Sequence, residues 1–230
     1  MITTSNIDVP YQWDRYSSLF EKSFLKNIGR NVKVILPLQL ALPLPRAIFR
    51  EAEHIYWANL RLVTDAPSQN NYLMAVYVLA AYKVLQPLIT DNERLINMLA
   101  YTFKQTGSTR VKWAMRVGLW FNRNKMKFLV QETKRRALRT YGKSFTVVTA
   151  GDCETFFASI VQRCGYYDFF TANGASEITR VMCAWDHNWI DEIKPDKHMV
   201  KFSRPVTIAA GGEACEFQFY NLAEPLNESG

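Results

Sequence analysis

The chain has 230 residues, of which 48% are hydrophobic and 13% aromatic, and it carries a net charge of +7. This composition excludes global disorder and allows a substantial core in one compact unit. The most apolar early run, residues 34–44, is short and interrupted by prolines, so no transmembrane segment is predicted. The first residues also lack the pattern of a secretion signal. We therefore expect a cytoplasmic protein.

Helical signals begin near the N-terminus. An amphipathic helix ending near Gly29 is predicted by four aromatic residues at three to four residue spacing: Trp13, Tyr16, Phe20 and Phe24. Pro45 suits the first turn of a second helix, which we expect to continue to about Val63.

Two further helices follow. Residues 65–68 are expected to form a loop in which Ser68 caps the next helix. Residues 72–85 are almost wholly apolar and rich in alanine, which favours a central buried helix over a strand. Residues 90–93 have the form of a capping box before a helix to about Lys104.

Positive charge is concentrated between residues 104 and 143, where twelve Lys or Arg accompany one acid, Glu132. That window carries +11, which leaves −4 for the remainder of the chain. We interpret it as one helix with a basic ridge of Lys112, Arg116, Arg123, Lys127 and Lys134. Its inward face is predicted to comprise Trp113, Val117, Trp120, Phe121 and Phe128. The ridge is either a solvated face or a contact for phosphate or an anionic membrane; no nucleic-acid motif accompanies it.

After Gly142 the hydrophobic period changes to that of a mixed structure. The predicted elements are strands at 144–149 and 156–164, helices at 165–173 and 176–189, and strands at 200–208 and 214–220. Gly211 and Gly212 supply the turn of a hairpin between the last two strands. The fold class is therefore α+β, with mostly helical N-terminal two-thirds packed on a small antiparallel β-sheet from the C-terminal third. We expect residues 1–65 to be a helical extension that forms one compact unit with a domain at 66–222.

One helical face in the last third combines groups suited to nucleophilic catalysis. In a helix over 176–189, Cys183, Asp186 and His187 stand at i, i+3 and i+4 and share a face. A base takes the thiol proton, the thiolate attacks, and an acid orients the base or protonates the leaving group. The alternative interpretation is a packing cysteine beside a capping or surface aspartate.

The other candidate residues surround this segment in the sequence. The four cysteines form no CxxC pair, so free thiols are expected. Cys164 ends a strand where sites often gather, and Cys215 alternates with core phenylalanines. Arg204 is expected to face the apolar side, where it needs an anion: Asp186, Glu216 or a substrate carboxylate. Zinc binding by the three cysteines and His187 is a weaker alternative, because short ligand spacings are missing.

Several C-terminal motifs resemble one family when they are taken together. They are Cys164-x-Tyr-x-Asp-Phe-Phe, Cys183-x-x-Asp186, Phe-x-Arg204-x-x-Thr-Ile-Ala-x-Gly-Gly212 and Cys215-Glu-Phe-x-Phe, with Leu79-Ala-Ala-Tyr82-Lys upstream. Over residues 72–220 the chain resembles the L-2-amino-thiazoline-4-carboxylic acid hydrolase-like family. The resemblance implies an enzyme that opens a small cyclic amidine ring toward cysteine through an N-carbamoyl intermediate.

The resemblance also implies roles for the candidate residues. Cys183 is the expected nucleophile and Asp186 the base or orienter, with Cys164 and His187 as further catalytic candidates. Arg204 is expected to hold a substrate carboxylate, and the other substrate-binding candidates are Tyr167, Trp185 and Cys215. No cofactor, resident metal or nucleic-acid partner is expected; the partner is a small-molecule substrate.

Two other functions remain open at this point. Trp185, His187 and Trp189 around the central motif suit a pocket for a larger, apolar substrate. The second hypothesis is therefore a cyclase or isomerase of specialised metabolism, in which aromatic rings stabilise positive charge. The third is a non-catalytic small-molecule-binding domain.

Overall fold

The structure is a computed structural model, and it describes residues 19–63 and 65–223. Within these residues the first seven α-helices are α1 (Leu19–Val32), α2 (Leu38–Ala41), α3 (Leu44–Ala58), α4 (Ala66–Leu85), α5 (Asn92–Gln105), α6 (Ser108–Phe121) and α7 (Lys125–Thr140). The C-terminal third contains β1 (Thr146–Asp152), β2 (Phe156–Arg163), α8 (Gly165–Ala172), α9 (Thr179–Cys183), α10 (His187–Ile190), α11 (Pro195–His198), β3 (Val200–Ser203) and β4 (Cys215–Asn221). The predicted α+β class, with helices first and an antiparallel sheet last, is confirmed.

The first two predicted helices are present in the structure, with small differences in their bounds. In the first predicted helix, Trp13 and Tyr16 lie outside the described residues, and the helix continues three residues past Gly29. Pro45 lies in the first turn of α3 as expected.

The predicted cap of α4 was wrong. Asp65, not Ser68, is the N-cap, and its carboxylate accepts a hydrogen bond from the Ser68 amide at 2.8 Å. Pro67 lies in the first turn of α4. Proline is accepted there because amide hydrogens in the first turn have no acceptor within the helix. The cap of α5 is likewise Asp91, which accepts the Arg94 amide at 3.0 Å.

The helical layer is organised around α4. This helix is buried on most of its surface, as the apolar sequence predicts. Helices α1, α3, α5 and α8 pack around it, and α9 packs against α5 and α8. Phe24, Tyr77 and Leu79 are fully buried in this cluster, which we call the helical core. Phe169 and Phe170 of the Asp-Phe-Phe motif also belong to it, so those two residues serve packing.

The sheet has the strand order β1-β2-β4-β3, and every neighbouring pair is antiparallel. Phe157 on β2 and Phe219 on β4 are register partners and fully buried. Together with residues of α6, α7 and α10 they form a second cluster, which we call the sheet core. The predicted pairing of the last two strands is confirmed, although β3 ends at Ser203 and a short 3-10 helix at Ile208–Ala210 precedes Gly211.

The basic window was predicted as one helix, and the structure divides it into α6 and α7. The break lies at residues 122–124, where Asn124 accepts the Lys127 amide at 2.8 Å and so caps α7. The two helices pack closely: a Cβ added at Gly118 would lie 2.1 Å from the ring of Phe128. The predicted inward aromatic face was wrong for three residues, because Trp113, Trp120 and Phe121 are exposed.

The segment over 176–189 is helical but irregular. Two 3-10 turns, Ser176–Ile178 and Ala184–Asp186, alternate with α9 and α10. Among the described residues, no helix is both long enough and apolar enough to cross a membrane.

Candidate active site

A cavity of about 770 Å³ lies between the helical core and the sheet core. Tyr166 and Trp185 pack against both cores and line the cavity between them. The remaining walls come from α1, α4, α5, α6, α7, the sheet and the segment around α9. Six of the predicted site residues line this cavity: Cys164, Cys183, Trp185, Asp186, Arg204 and Cys215.

Asp186 and Arg204 form an ion pair in the cavity wall. Arg204 Nη1 donates to Asp186 Oδ2 at 2.8 Å, and their side chains are 14% and 24% exposed, respectively. Trp189 Nε1 donates to the other carboxylate oxygen, Oδ1, at 3.3 Å. Burial raises the pKa of Asp186, while the Arg204 guanidinium and the Trp189 hydrogen bond oppose that rise. Of the two protein partners predicted for Arg204, the structure therefore shows Asp186 and not Glu216.

Three thiols line the same cavity and are held in the protonated form. Burial, reinforced by the Asp186 carboxylate, raises the pKa of Cys183 to about 12. Burial raises the pKa of Cys164 to about 11. The pKa of Cys215 is also raised by burial, although its sulfur accepts a hydrogen bond from the Ile208 amide at 3.2 Å. A nucleophilic thiolate in this cavity thus requires added positive charge or a base.

The 3-10 turn at Ala184–Asp186 decides which side chains face the cavity. Side chains three residues apart eclipse in a 3-10 helix, which brings Cys183 and Asp186 to one face. The tighter turn also rotates the following residue away from that face. The prediction that His187 shares it was wrong: His187 is exposed, and its Nδ1 lies 3.0 Å from Asp191 Oδ1.

Tyr167 was also predicted at the site, and the structure places its neighbour Tyr166 there instead. Successive helical residues point about 100° apart, so Tyr167 packs against the sheet core beside the cavity. The Tyr166 hydroxyl donates to Asn71 Oδ1 at 2.9 Å, and Asn71 Nδ2 donates to the Thr140 carbonyl at 2.6 Å. These bonds connect α8, α4 and the end of α7 around the cavity.

Helix α7 contributes a polar wall that the sequence interpretation missed. Glu132 and Arg136 line the cavity, and Arg136 Nε lies 3.2 Å from Glu132 Oε1. The Arg136 guanidinium also lies 5.9 Å from the centre of a Trp189 ring. One feature of the sequence indicated this polar wall: Glu132 is the single acid among twelve cations between residues 104 and 143.

The remaining cysteine lies outside the cavity. Cys153 is exposed in the turn between β1 and β2, and its hydrogen bonds with the Thr155 side chain and with nearby backbone lower its pKa. All four cysteines are free thiols, as predicted. Within residues 19–63 and 65–223, no three His, Cys, Asp or Glu side chains are grouped closely enough to hold a metal ion. The zinc alternative loses its histidine in any case, because His187 points outward.

Comparison with known proteins gives one match. The family model described as L-2-amino-thiazoline-4-carboxylic acid hydrolase matches residues 70–219, which is 150 of the 230 residues. The match contains the cavity residues of the C-terminal third, while α1 to α3 precede it. No curated protein and no solved structure matches the chain.

Proposed function

Because the chain belongs to the L-2-amino-thiazoline-4-carboxylic acid hydrolase family, we propose that it hydrolyses a small cyclic amidine in this cavity. The observation that carries the proposal is that Cys183, Asp186 and Arg204 line one cavity. A nucleophile, a carboxylate and a cation are the groups that such a reaction needs.

Substrate binding uses the charges of the cavity wall. An amidine is readily protonated, and its cation is attracted to the Asp186 carboxylate. A substrate carboxylate is attracted to Arg204, whose planar fork has donors beyond the one that Asp186 accepts. Arg136 supplies a second cation in the lining of the cavity.

The raised pKa of Cys183 explains why the substrate has to take part in activating the thiol. Burial raises the pKa of Cys183, and the negative charge of Asp186 raises it further. An amidinium bound between them neutralises that charge and lowers the pKa of the thiol. The nucleophile is then formed when substrate is bound and stays protonated in the empty cavity.

Binding of the amidinium releases the thiol proton of Cys183 to solvent. In the first step the Cys183 sulfur then forms a bond to the amidinium carbon, and the double bond from that carbon to nitrogen becomes a single bond, which leaves a neutral adduct. The adduct collapses when the bond from that carbon to the ring sulfur breaks, and the leaving sulfur takes a proton from nitrogen. The substrate carbon is now joined to Cys183 as an isothiourea.

In the second step water forms a bond to the same carbon while Asp186 accepts one of its protons and passes it to the imine nitrogen. The bond from carbon to Cys183 breaks, and the other water proton returns to the sulfur. One water is consumed, and an N-carbamoyl product leaves.

The test compares two single cysteine variants on 2-aminothiazoline-4-carboxylate, with ring opening followed by mass spectrometry. Cys183→Ala should lower kcat/KM by about a thousandfold or more, because the covalent step is lost. Cys153→Ala is the matched control, because that thiol is exposed outside the cavity, and it should retain full activity. Undiminished turnover by Cys183→Ala would eliminate the covalent mechanism.

A second function is favoured by the size and lining of the cavity. A volume of about 770 Å³ lies in the range of cavities that enclose drug-sized ligands. Much of its wall is aromatic, including Phe20, Phe103, Phe145, Trp189 and Phe217. These features suit a cyclase or isomerase acting on an apolar intermediate. The product mass separates the two functions, since hydrolysis adds one water and isomerisation leaves the mass unchanged.

A further inference from the structure

The outer face of α6 exposes three large aromatic side chains. Trp113 is 66% exposed, Trp120 76% and Phe121 78%. The residues of α6 that are buried are Met115 and Leu119 on the opposite side, which packs into the sheet core. The aromatic residues therefore contribute little to the core, and exposed aromatic groups of this size mark interaction surfaces.

The same surface carries an excess of positive charge. Residues 108–127 contain six Lys or Arg and no Asp or Glu. Arg116 pairs with Glu192, at 2.6 Å between Nε and Oε2. The other five cations have exposed or half-buried side chains and form no ion pair with any residue in the described ranges: Arg110, Lys112, Arg123, Lys125 and Lys127.

We propose that the outer face of α6 and its turn into α7 bind an anionic membrane surface. We call this surface, residues 110–127, the basic aromatic face. Tryptophan and phenylalanine insert at the boundary between headgroups and acyl chains, while neighbouring Lys and Arg attract anionic headgroups. The helix lies flat on the bilayer, with Trp113, Trp120 and Phe121 directed toward the acyl chains.

Charge argues against the other occupants of this face. A second copy bound through the same face would bring two like-charged surfaces together, which is unfavourable. A single nucleic-acid strand also uses cations and aromatic rings, but it binds in a groove that follows its backbone. Here the aromatic residues lie on the outside of one helix and outside the cavity.

The orientation has a consequence for the cavity. The first turn of α6 lines the cavity through Thr109, Arg110 and Val111. Trp113 follows one turn later on the exposed side. A membrane bound to this helix therefore lies next to one wall of the cavity.

The test is co-sedimentation of the full chain with vesicles of phosphatidylcholine alone and of phosphatidylcholine with phosphatidylserine. The wild type should sediment with the anionic vesicles at low salt, dissociate from them at high salt and not sediment with the neutral vesicles. Arg123→Glu with Lys127→Glu should lower partitioning by about tenfold or more, since each basic residue contributes separately. The matched control is Lys22→Glu with Lys26→Glu, which makes the same change in net charge on the exposed surface of α1.

A second pair of variants tests the aromatic contribution. Trp120→Ala with Phe121→Ala should also reduce sedimentation, whereas Val34→Ala, at an 85% exposed apolar position elsewhere, should not. Circular dichroism checks that each variant is folded. The proposal is overturned by equal losses in the two charge variants, which would indicate net charge alone. It is also overturned if the folded wild type does not sediment with anionic vesicles at low salt. That result would include a face that forms dimers or binds single-stranded RNA and does not bind membranes.

Discussion

The two cores of this molecule differ in what they contain. The helical core around α4 is closely packed, and its largest members, such as Phe24, Tyr77 and Phe170, have no exposed surface. The sheet core borders the cavity, and its neighbourhood contains three thiols, an ion pair and a basic helix. Packing and chemistry are therefore divided between two halves of one fold, and the two halves meet at Tyr166 and Trp185.

The largest effect is expected from a change that damages the helical core. Leu79→Ala removes a fully buried side chain and leaves a space in the centre of α4's packing. It should lower the free energy of unfolding by about 2–5 kcal/mol, measured by urea denaturation. Leu138→Ala, at an exposed position of α7, is the control and should change it by less than about 0.5 kcal/mol. A small loss for Leu79→Ala would mean that this core is not the main source of stability.

The reactivity of the cysteines tests the same comparison, because three thiols line the cavity and one is exposed. Cys153 is exposed with a lowered pKa, while Cys183 and Cys164 have pKa values raised to about 12 and about 11. At neutral pH, iodoacetamide should modify Cys153 faster than either cavity thiol by about a hundredfold or more. Mass spectrometry of timed samples measures the four rates. Fast modification of Cys183 in the substrate-free protein would contradict the protonated state that we infer for it.

A smaller effect is expected from breaking the ion pair of the cavity. The pKa of Asp186 is raised in the folded state, so its contribution to stability is present below its unfolded pKa and is lost as pH rises through the folded value. Arg204→Ala removes the cation that limits this rise, so the pKa increases further. Between pH 4 and 8 the variant should lose about 1 kcal/mol more stability than the wild type, measured by urea unfolding.

The control for that measurement is a surface ion pair. Arg163→Ala breaks the 2.7 Å contact with Asp168, where both side chains are largely exposed. Its pH dependence should match that of the wild type, because exposed pairs contribute little. Parallel pH curves for Arg204→Ala and the wild type would show that Arg204 does not control the ionisation of Asp186.

Much of the fold follows from hydrophobic pattern. The apolar run over 72–85 predicted the central helix, and alternation predicted the pairing of the last two strands. The partner of Arg204 was also among those predicted, since a cation facing an apolar side needs an anion.

The errors have a common physical origin. Helical periodicity tells which side chains share a face, and it does not tell which face a neighbouring element covers. Trp113 and Trp120 were therefore assigned to the interior although α6 packs through Met115 and Leu119. The 3-10 turn that excludes His187 depends on tertiary packing, which the local sequence does not encode. Tyr166 and Tyr167 are indistinguishable by type, and only the orientation of α8 separates them.

The position of β4 in the sheet has a consequence for synthesis. It is the last described strand along the chain, yet it lies between β2 and β3 and bears Cys215 and Phe217 of the cavity wall. Helices α1, α3, α4 and α5 pack against one another, so most of the helical core can assemble while the ribosome is still translating, and α8 and α9 join it later. The sheet has to wait for residues 215–221. A nascent chain therefore acquires its stable half first and its reactive half last.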